Sequence, residues 1–279
     1  MAAHMEMRKI QAASEFIQHQ LNGPVEKGVI LGSGLGSFTD DLVIETEIPY
    51  SSIPHFPVST VEGHSGRMVI GTLSGVRVLV LSGRFHYYEG YSPFEVVFPI
   101  RVIRLLGVKQ LFISNAAGGV NSNFKVGDLM IINDHISFST VNPLLGRNLD
   151  EMGTRFPDMS EPYSKRLIRK AFSIAAPLHI QLHEGVYFGV TGPTFETRAE
   201  YKMIRAVGAD AVGMSTVQEV ITAVHCGMEV FAMSVITDLG IREEENQISH
   251  QEVLEAAQSA APLLTAVFKE LIVSEGKAN

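Results

Sequence analysis

Val29-Ile30-Leu31-Gly32-Ser33-Gly34-Leu35-Gly36-Ser37 carries a short, wholly apolar segment straight into a glycine-rich turn. A run of that length, β-branched and closed by glycine, predicts a buried strand and not one face of a helix. Glycines let backbone N–H groups converge on an anion, and Ser33 adds a hydroxyl donor. A turn needed only for packing is the ordinary alternative, and this stretch alone leaves it open. The spacing is Gly-x-Gly-x-Gly, whereas a dinucleotide fold needs Gly-x-Gly-x-x-Gly opening a helix, and no Gly-Lys-Ser/Thr follows as in a nucleotide-triphosphate loop. A nicotinamide oxidoreductase is therefore disfavoured, with cofactor binding as the observation that would revive it.

Working outward, runs rich in Val, Ile and Leu recur at Met68–Leu73, Val76–Leu81, Gln110–Ser114, Leu129–Asn133, Val186–Val190, Ala211–Met214 and Val230–Thr237, with Gly28–Leu31 as the first. Helical patterns fall at Arg8–Leu21, Pro93–Leu106, Pro162–Ala176, Arg198–Val207, Val217–Cys226 and Gln251–Val273. Strands alternating with helices predict an α/β fold, a sheet covered on both faces. No repeat, heptad array or composition shift marks a boundary, so one domain is expected. Ser137–Pro162 is polar and turn-rich without a period, which makes it a candidate site element.

The 279 residues are 46% hydrophobic and 19% charged with a mean hydropathy of +0.16, a composition that excludes disorder. Twenty-two Lys and Arg against 30 Asp and Glu give a net charge of −8. No basic field exists to hold a nucleic-acid backbone or an anionic membrane, so neither partner is expected, and a bound anion needs a local cluster of donors. The single cysteine, Cys226, excludes an internal disulfide and fits a reducing compartment; a cytoplasmic protein is expected. No apolar leader is read at Met1–Ile10 and no uncharged run of about 18 residues spans a bilayer. Met1-Ala2-Ala3-His4-Met5 reads as an expression scar ahead of a start at Met5.

Five further segments carry chemistry. Ser82-Gly83-Arg84-Phe85-His86-Tyr87-Tyr88-Glu89-Gly90 follows a predicted strand, and strand ends are where α/β ligands bind. Arg84 and His86, two apart, share one face of an extended segment, and the guanidinium fork suits phosphate. Tyr88 can cover a sugar or base. Ser114-Asn115-Ala116-Ala117-Gly118-Gly119 ends another strand in small residues, either an anion-binding backbone or a tight turn under a helix. Gly192-Pro193-Thr194-Phe195-Glu196-Thr197-Arg198-Ala199-Glu200 sets an aromatic and a carboxylate at a strand-to-helix junction, where Glu196 could equally serve only the helix dipole. Gly213-Met214-Ser215-Thr216 presents a hydroxyl at the start of a helix, and Val235-Ile236-Thr237-Asp238 closes a buried strand with a hydroxyl and a carboxylate. His250 precedes the last helix. His4, His19, His179 and His183 have no supporting context, and no His-x-x-x-His or carboxylate cluster points to a metal.

In order and joint occurrence these segments, with Gly63-His64-Ser65-Gly66, resemble the trimeric class of purine nucleoside phosphorylases from about Ile30 to the final helix. The resemblance implies a single nucleoside phosphorylase domain over 1–279, with a central mixed β-sheet flanked by helices. It implies phosphate held by Ser33, His64, Arg84, His86, the backbone at Ala116, and Ser215. Tyr88, Met214 and His250 would meet the ribose, joined by Phe156 from a neighbouring subunit of a homotrimer. The base would lie against Phe195, with Glu196, Thr237 and Asp238 around it. His86, Glu196 and Asp238 are the implied catalytic residues. Phosphate is a co-substrate, no other cofactor is implied, and the reaction is the reversible phosphorolysis of purine (deoxy)ribonucleosides to free base and (deoxy)ribose 1-phosphate.

The chemistry agrees with the residue inventory. Cleaving an N-glycosidic bond passes through an oxocarbenium-like sugar. With phosphate as nucleophile no second catalytic carboxylate is needed, and the leaving purine needs a proton or hydrogen bond at N7, where the resemblance puts Asp238. Asp238 also departs from the family's commonest pattern, which has Asn after the Thr. An ionised carboxylate only accepts, which favours a 6-amino group; Glu196 as an anionic acceptor suits the N1–H of a 6-oxopurine. The expectation is 6-oxopurine activity broadened toward adenosine. A methylthioadenosine or adenosine-preferring phosphorylase is the alternative, against which His250 indicates a polar 5′ pocket; a non-catalytic nucleoside-binding protein has only the glycine turns in its favour.

Overall fold

The computed structural model describes residues 2–58, 65–240 and 248–276. Nine strands form one mixed sheet: β1 (Lys27–Leu31), β2 (Val43–Pro49), β3 (Arg67–Leu73), β4 (Val76–Ser82), β5 (Gln110–Gly119), β6 (Leu129–Ile136), β7 (Leu182–Gly189), β8 (Ala211–Gly213) and β9 (Glu229–Leu239). The order is β2-β3-β4-β1-β5-β8-β7-β6-β9, and β9 also pairs with β5 along its whole length, so the second half of the sheet closes on itself. Central strands are buried on both faces and read as continuous apolar runs, which is why the sequence exposes them. The strand the sequence does not show is β2, an edge strand whose residues alternate with no apolar run and are mostly exposed.

Helices α1 (Ala2–Gln18), α2 (Pro93–Val96), α3 (Phe98–Leu105), α4 (Lys165–Ala175), α5 (Arg198–Ala206), α6 (Val217–His225) and α7 (His250–Gly276) complete the chain. α1 begins at Ala2, ahead of the expected Arg8, so the residues read as a scar continue the helix. The single helix expected over Pro93–Leu106 is two. Ser92 and Glu95 close a capping box on α2, and Pro99 has no N–H with which to continue the ladder through Val97. α7 is long and apolar enough to cross a bilayer by length and composition, yet it carries Glu252, Glu255, Lys269, Glu270 and Glu275 and packs on β9. Phe268 wedges between β5 and β9, its ring centroid 6.3 Å from Phe112 and 5.8 Å from Phe231. Residues 137–162 form turns and bends without helix or strand, pinned by Gln218 Nε2 donating to the Val141 carbonyl at 2.7 Å and by Arg101 to Pro143 at 3.3 Å.

A polar network bolts the starts of β1, β5 and β9 to α4 and α7. Lys27 Nζ donates to Gln110 Oε1 (2.5 Å), Gln110 Nε2 donates to Glu229 (2.6 Å) and Glu275 (2.9 Å), and Arg166 and Lys170 both reach Glu275. The Arg166 and Lys170 donors hold the nearly buried Glu275 carboxyl far below its ordinary value despite burial. A depressed carboxyl stabilises the fold above the unfolded-chain value near 4.5 and loses that contribution as pH falls toward its folded value. Glu275→Gln is therefore expected to cost about 1–3 kcal/mol at pH 7 by urea denaturation, with the gap to the parent protein narrowing at pH 4. An equal gap at both pH values would show that the charge is not what Glu275 contributes.

Candidate active site

β1 ends at Leu31, but β5 runs on to Gly119, and the two separate after the Ile30–Ile113 pair. Ser114 sits at the fork: its Oγ accepts from Gly32 N and donates to Ile30 O, both at 3.2 Å. Its carbonyl accepts from Arg84 Nη1 at 2.8 Å. Gly34 adopts φ +75° in the turn that follows and packs so tightly on α7 that a Cβ would lie 2.9 Å from that of Ala257. From the fork opens a cavity of about 360 Å³. Ser33, Arg84, His86, Tyr88, Ala116, Phe195, Glu196, Met214, Ser215, Thr237, Asp238 and His250 all line it.

One end is cationic and rigid. Arg84 is buried, and its Nε donates to Glu219 Oε1 at 3.0 Å, an ion pair in which both side chains are shielded from water. Nη1 also reaches Ser215 Oγ at 3.5 Å. Pairing with Glu219 cancels the net charge, so an anion here is met by oriented donors rather than a field. Ser215 is set by its neighbour Thr216, whose φ of +71° is a strained conformation for a β-branched residue. Asn115 Nδ2 holds that residue by donating to Thr216 Oγ1 at 2.8 Å.

His86 caps the short helical turn Tyr87–Glu89, and Glu89 Oε1 accepts from both the His86 backbone N–H (2.8 Å) and Nδ1 (2.9 Å). Burial pushes the imidazole below its ordinary value, with Arg84 adding to the shift and Glu89 opposing it. The ring is neutral near pH 7, with its proton on Nδ1 toward the carboxylate, so Nε2 is an acceptor. Tyr88 stacks on His86 at 4.6 Å with an interplanar angle of 14°, and burial lifts its hydroxyl to about 12.

The other end is acidic. Glu196 lies between β7 and α5, Asp238 near the end of β9, and Asp238 Oδ1 accepts from Thr237 Oγ1 at 3.2 Å. Burial raises the Glu196 carboxyl, and Asp238 and Glu200 raise it further. Gly118 stands so close beneath Asp238 that a Cβ there would be 3.0 Å from Oδ2. The aromatic Phe195 is 39% exposed at the rim.

Two expected site residues are not among the lining. His64 lies outside the described residues, and Phe156 projects from the 137–162 loop, 85% exposed, beside a separate cavity with Leu145 and Arg155. Asn115–Gly119, left open between turn and strand end by the sequence, is strand throughout. Sequence reasoning gave no role to Glu89, Glu219, Asn115, Thr216 or Tyr201. Glu89 had a signal, three residues after a capping position; the others act through burial that only the fold creates. Among the described residues no group of three or more His, Cys, Asp or Glu is placed to hold a metal.

Residues 26–273 match the model of the phosphorylase superfamily. The chain is 51% identical to purine nucleoside phosphorylase 1 of Geobacillus stearothermophilus over 91% of its own length and 93% of that protein. It is 48% identical to the Bacillus subtilis enzyme of the same name over 95% and 97%. A Schistosoma mansoni purine nucleoside phosphorylase solved with inosine superposes with a TM-score of 0.89 at 41% identity, covering 95% of both chains.

Replacing Glu219 by Gln removes the anion that fixes Arg84 Nε while keeping shape. Binding of inorganic phosphate, followed by calorimetric titration, is expected to weaken about tenfold. Unchanged affinity would mean that the Ser114 carbonyl alone orients the guanidinium.

Proposed function

The chain belongs to the phosphorylase superfamily and cleaves purine nucleosides with phosphate as a pentosyltransferase; from that premise we propose how its cavity divides the work. Phosphate is bound at the cationic end by Ser33, Arg84, His86, Ala116 N–H and Ser215, with His64 as a further contact. The observation that carries this is the convergence of Arg84, His86 and Ser215 on the fork between β1 and β5, each held by a buried partner. Nε2 of neutral His86 accepts a hydrogen bond from the P–OH of hydrogen phosphate, leaving its other oxygens for Arg84 and the hydroxyls.

Tyr88, Met214 and His250 bracket the sugar, and the base lies on Phe195 between Glu196 and Asp238. A phosphate oxygen forms the bond to C1′ as the C1′–N9 bond breaks, and the electron pair leaves on the purine. Phosphate faces the developing oxocarbenium and supplies the attacking oxygen, so no carboxylate nucleophile is required. Asp238 is the partner of N7 and the 6-substituent, and Glu196 of N1. Phosphate is a co-substrate and the scheme calls on no cofactor beyond it.

Two readings of range follow from the acidic end. Glu196 ionised accepts from the N1–H of hypoxanthine or guanine; Asp238 ionised accepts from an exocyclic amine. We expect 6-oxopurine nucleosides to be preferred and adenosine to be turned over as well. An adenosine or methylthioadenosine preference is favoured by Asp238 and opposed by His250 at the sugar end. The closed site is a homotrimer in the cytoplasm: Phe138, Leu145 and Phe156 are large, apolar and mostly exposed, and a second copy carrying Phe156 to the sugar would cover them.

Parallel assays of hypoxanthine and adenine release, with and without phosphate, test the reaction; release must depend on phosphate. Asp238→Asn is expected to raise the inosine-to-adenosine ratio of kcat/KM about tenfold, and an unmoved ratio would remove Asp238 from base recognition. Phe156→Ala should raise the nucleoside KM about tenfold with little change in phosphate KM, and light scattering should give three times the chain mass. A monomer with full activity would sink the shared-site reading.

A further inference from the structure

Tyr201, on α5, belongs to none of the surfaces that line the cavity. It is 4% exposed, packed with Phe188, Val212, Ile204 and Val120, and its ring lies where a Cβ on Gly240 would be, at 2.2 Å. A tyrosine so buried ordinarily gives its hydroxyl a partner. This hydroxyl has none within hydrogen-bond distance. Among the described residues the charges that act on it most strongly are the Glu196 carboxylate, which lies at the margin of hydrogen-bonding reach, and then Asp238 and Glu200. Tyr201, Asp238 and Glu200 in turn act on Glu196, the tyrosine as a donor that lowers its carboxyl and the two carboxylates as like charges that raise it. Burial together with the two cavity carboxylates holds the Tyr201 hydroxyl far above its ordinary value, so it is always protonated and can only donate to them.

The arrangement is a donor waiting beside a carboxylate that its surroundings push toward protonation. Glu200 is not available to answer it, since that carboxylate closes the capping box on Thr197 N–H at 2.6 Å. Asp238 is engaged by Thr237. Glu196 is the acceptor that remains. The α5 capping box fixes the helix one turn before Tyr201, so a small settling of the Phe195-Glu196 segment onto a bound base closes the gap.

We propose that Tyr201 is a specificity-determining residue: its hydroxyl donates to Glu196 in the loaded site, keeps that carboxylate an acceptor for N1–H, and so sets the preference for 6-oxopurines over adenine, whose N1 lacks a proton. This rests on the reading of Glu196 as the partner of N1. Removing the hydroxyl leaves Glu196 against Asp238 with no donor to offset it. Protonated Glu196 then donates to the bare N1 of adenine while Asp238 accepts from the amine, so the same substitution that harms inosine helps adenosine.

Tyr201→Phe keeps the ring on Gly240 and deletes an oxygen that makes no full hydrogen bond, so the fold should melt as before. The acid limb of kcat/KM for inosine is expected to move up by about one pH unit, and the inosine-to-adenosine ratio at pH 7 to fall about tenfold. A purely structural role would lower both substrates together and leave the pH profile in place, which overturns the inference. Glu196→Gln, run in parallel, separates the two levels. If it abolishes the acid limb while Tyr201→Phe does not shift it, Tyr201 has no part in specificity. If Glu196→Gln leaves the limb intact, the assignment of Glu196 itself fails.

Discussion

A buried ten-residue strand must pair every backbone group, and β5 cannot do so against β1, which ends five residues after it begins. The active site is built from the solution to that shortage. Up to Ile113 the ladder is ordinary parallel sheet. At Ser114 the side chain bridges the parting strands and the carbonyl takes a guanidinium proton in place of a strand amide. Beyond it β8 comes back antiparallel against Gly118 and Gly119, and the chain after Gly213 runs down toward Arg84 to deliver Ser215. Arg84 is thus part of the sheet's own hydrogen bonding as well as of the site. The bonds that orient it belong to the folded sheet and to Glu219, so it is aligned by the fold itself, which is what preorganised electrostatic catalysis demands.

The sequence made the strands legible because burial on both faces writes them as apolar runs, and it made their ends legible because glycine, serine and small residues follow each. The ring closure through β5 and β9 was invisible, since pairing partners leave no local mark. β2 failed for the opposite reason to the others: at a solvent-facing edge nothing selects for a run. The division of labour inside the site was only half readable. Residues that meet a ligand carry chemistry in their side chains and stand out in a turn. Glu219 stands in a helix's first turn, where an acidic residue is unremarkable, and only the fold, by burying Arg84 against it, makes it a requirement. Asn115 and Thr216 were hidden in the same way, because the strained φ of Thr216 is a property of the path between β8 and α6, and Asn115 matters only through its hydrogen bond to that residue.

Electrostatics divides the cavity. At the end proposed for phosphate, Arg84 is answered within the protein by Glu219 and His86 by Glu89. Such a site presents dipoles already aligned, and it admits a dianion without first having to shed a competing counter-ion. At the acidic end burial and the charge of Asp238 both raise the Glu196 carboxyl. A purine brings protons in a pattern: N1–H and a bare oxygen, or a bare N1 and an amine. The acidic pair is suited to reading that pattern because both carboxylates line the same end of the cavity and act on one another.

The two ends also differ in what carries them. Of the residues proposed to hold phosphate, Arg84, His86 and Ser215 follow strand ends and have their side chains held by hydrogen bonds. Phe195 and Glu196 sit on the segment between β7 and α5, outside any strand or helix, with the aromatic partly in solvent. On the proposed division of the cavity, rigidity is concentrated where the bond to C1′ would form, and a misplacement there is costly in rate because approach and alignment of the nucleophile must be kept within a few tenths of an ångström. The base needs only to lie flat and present N7, and a segment able to settle can accept a carbonyl or an amine at position 6. Fidelity of chemistry and tolerance of substrate are therefore compatible in one cavity, because the sheet governs the first and a loop the second.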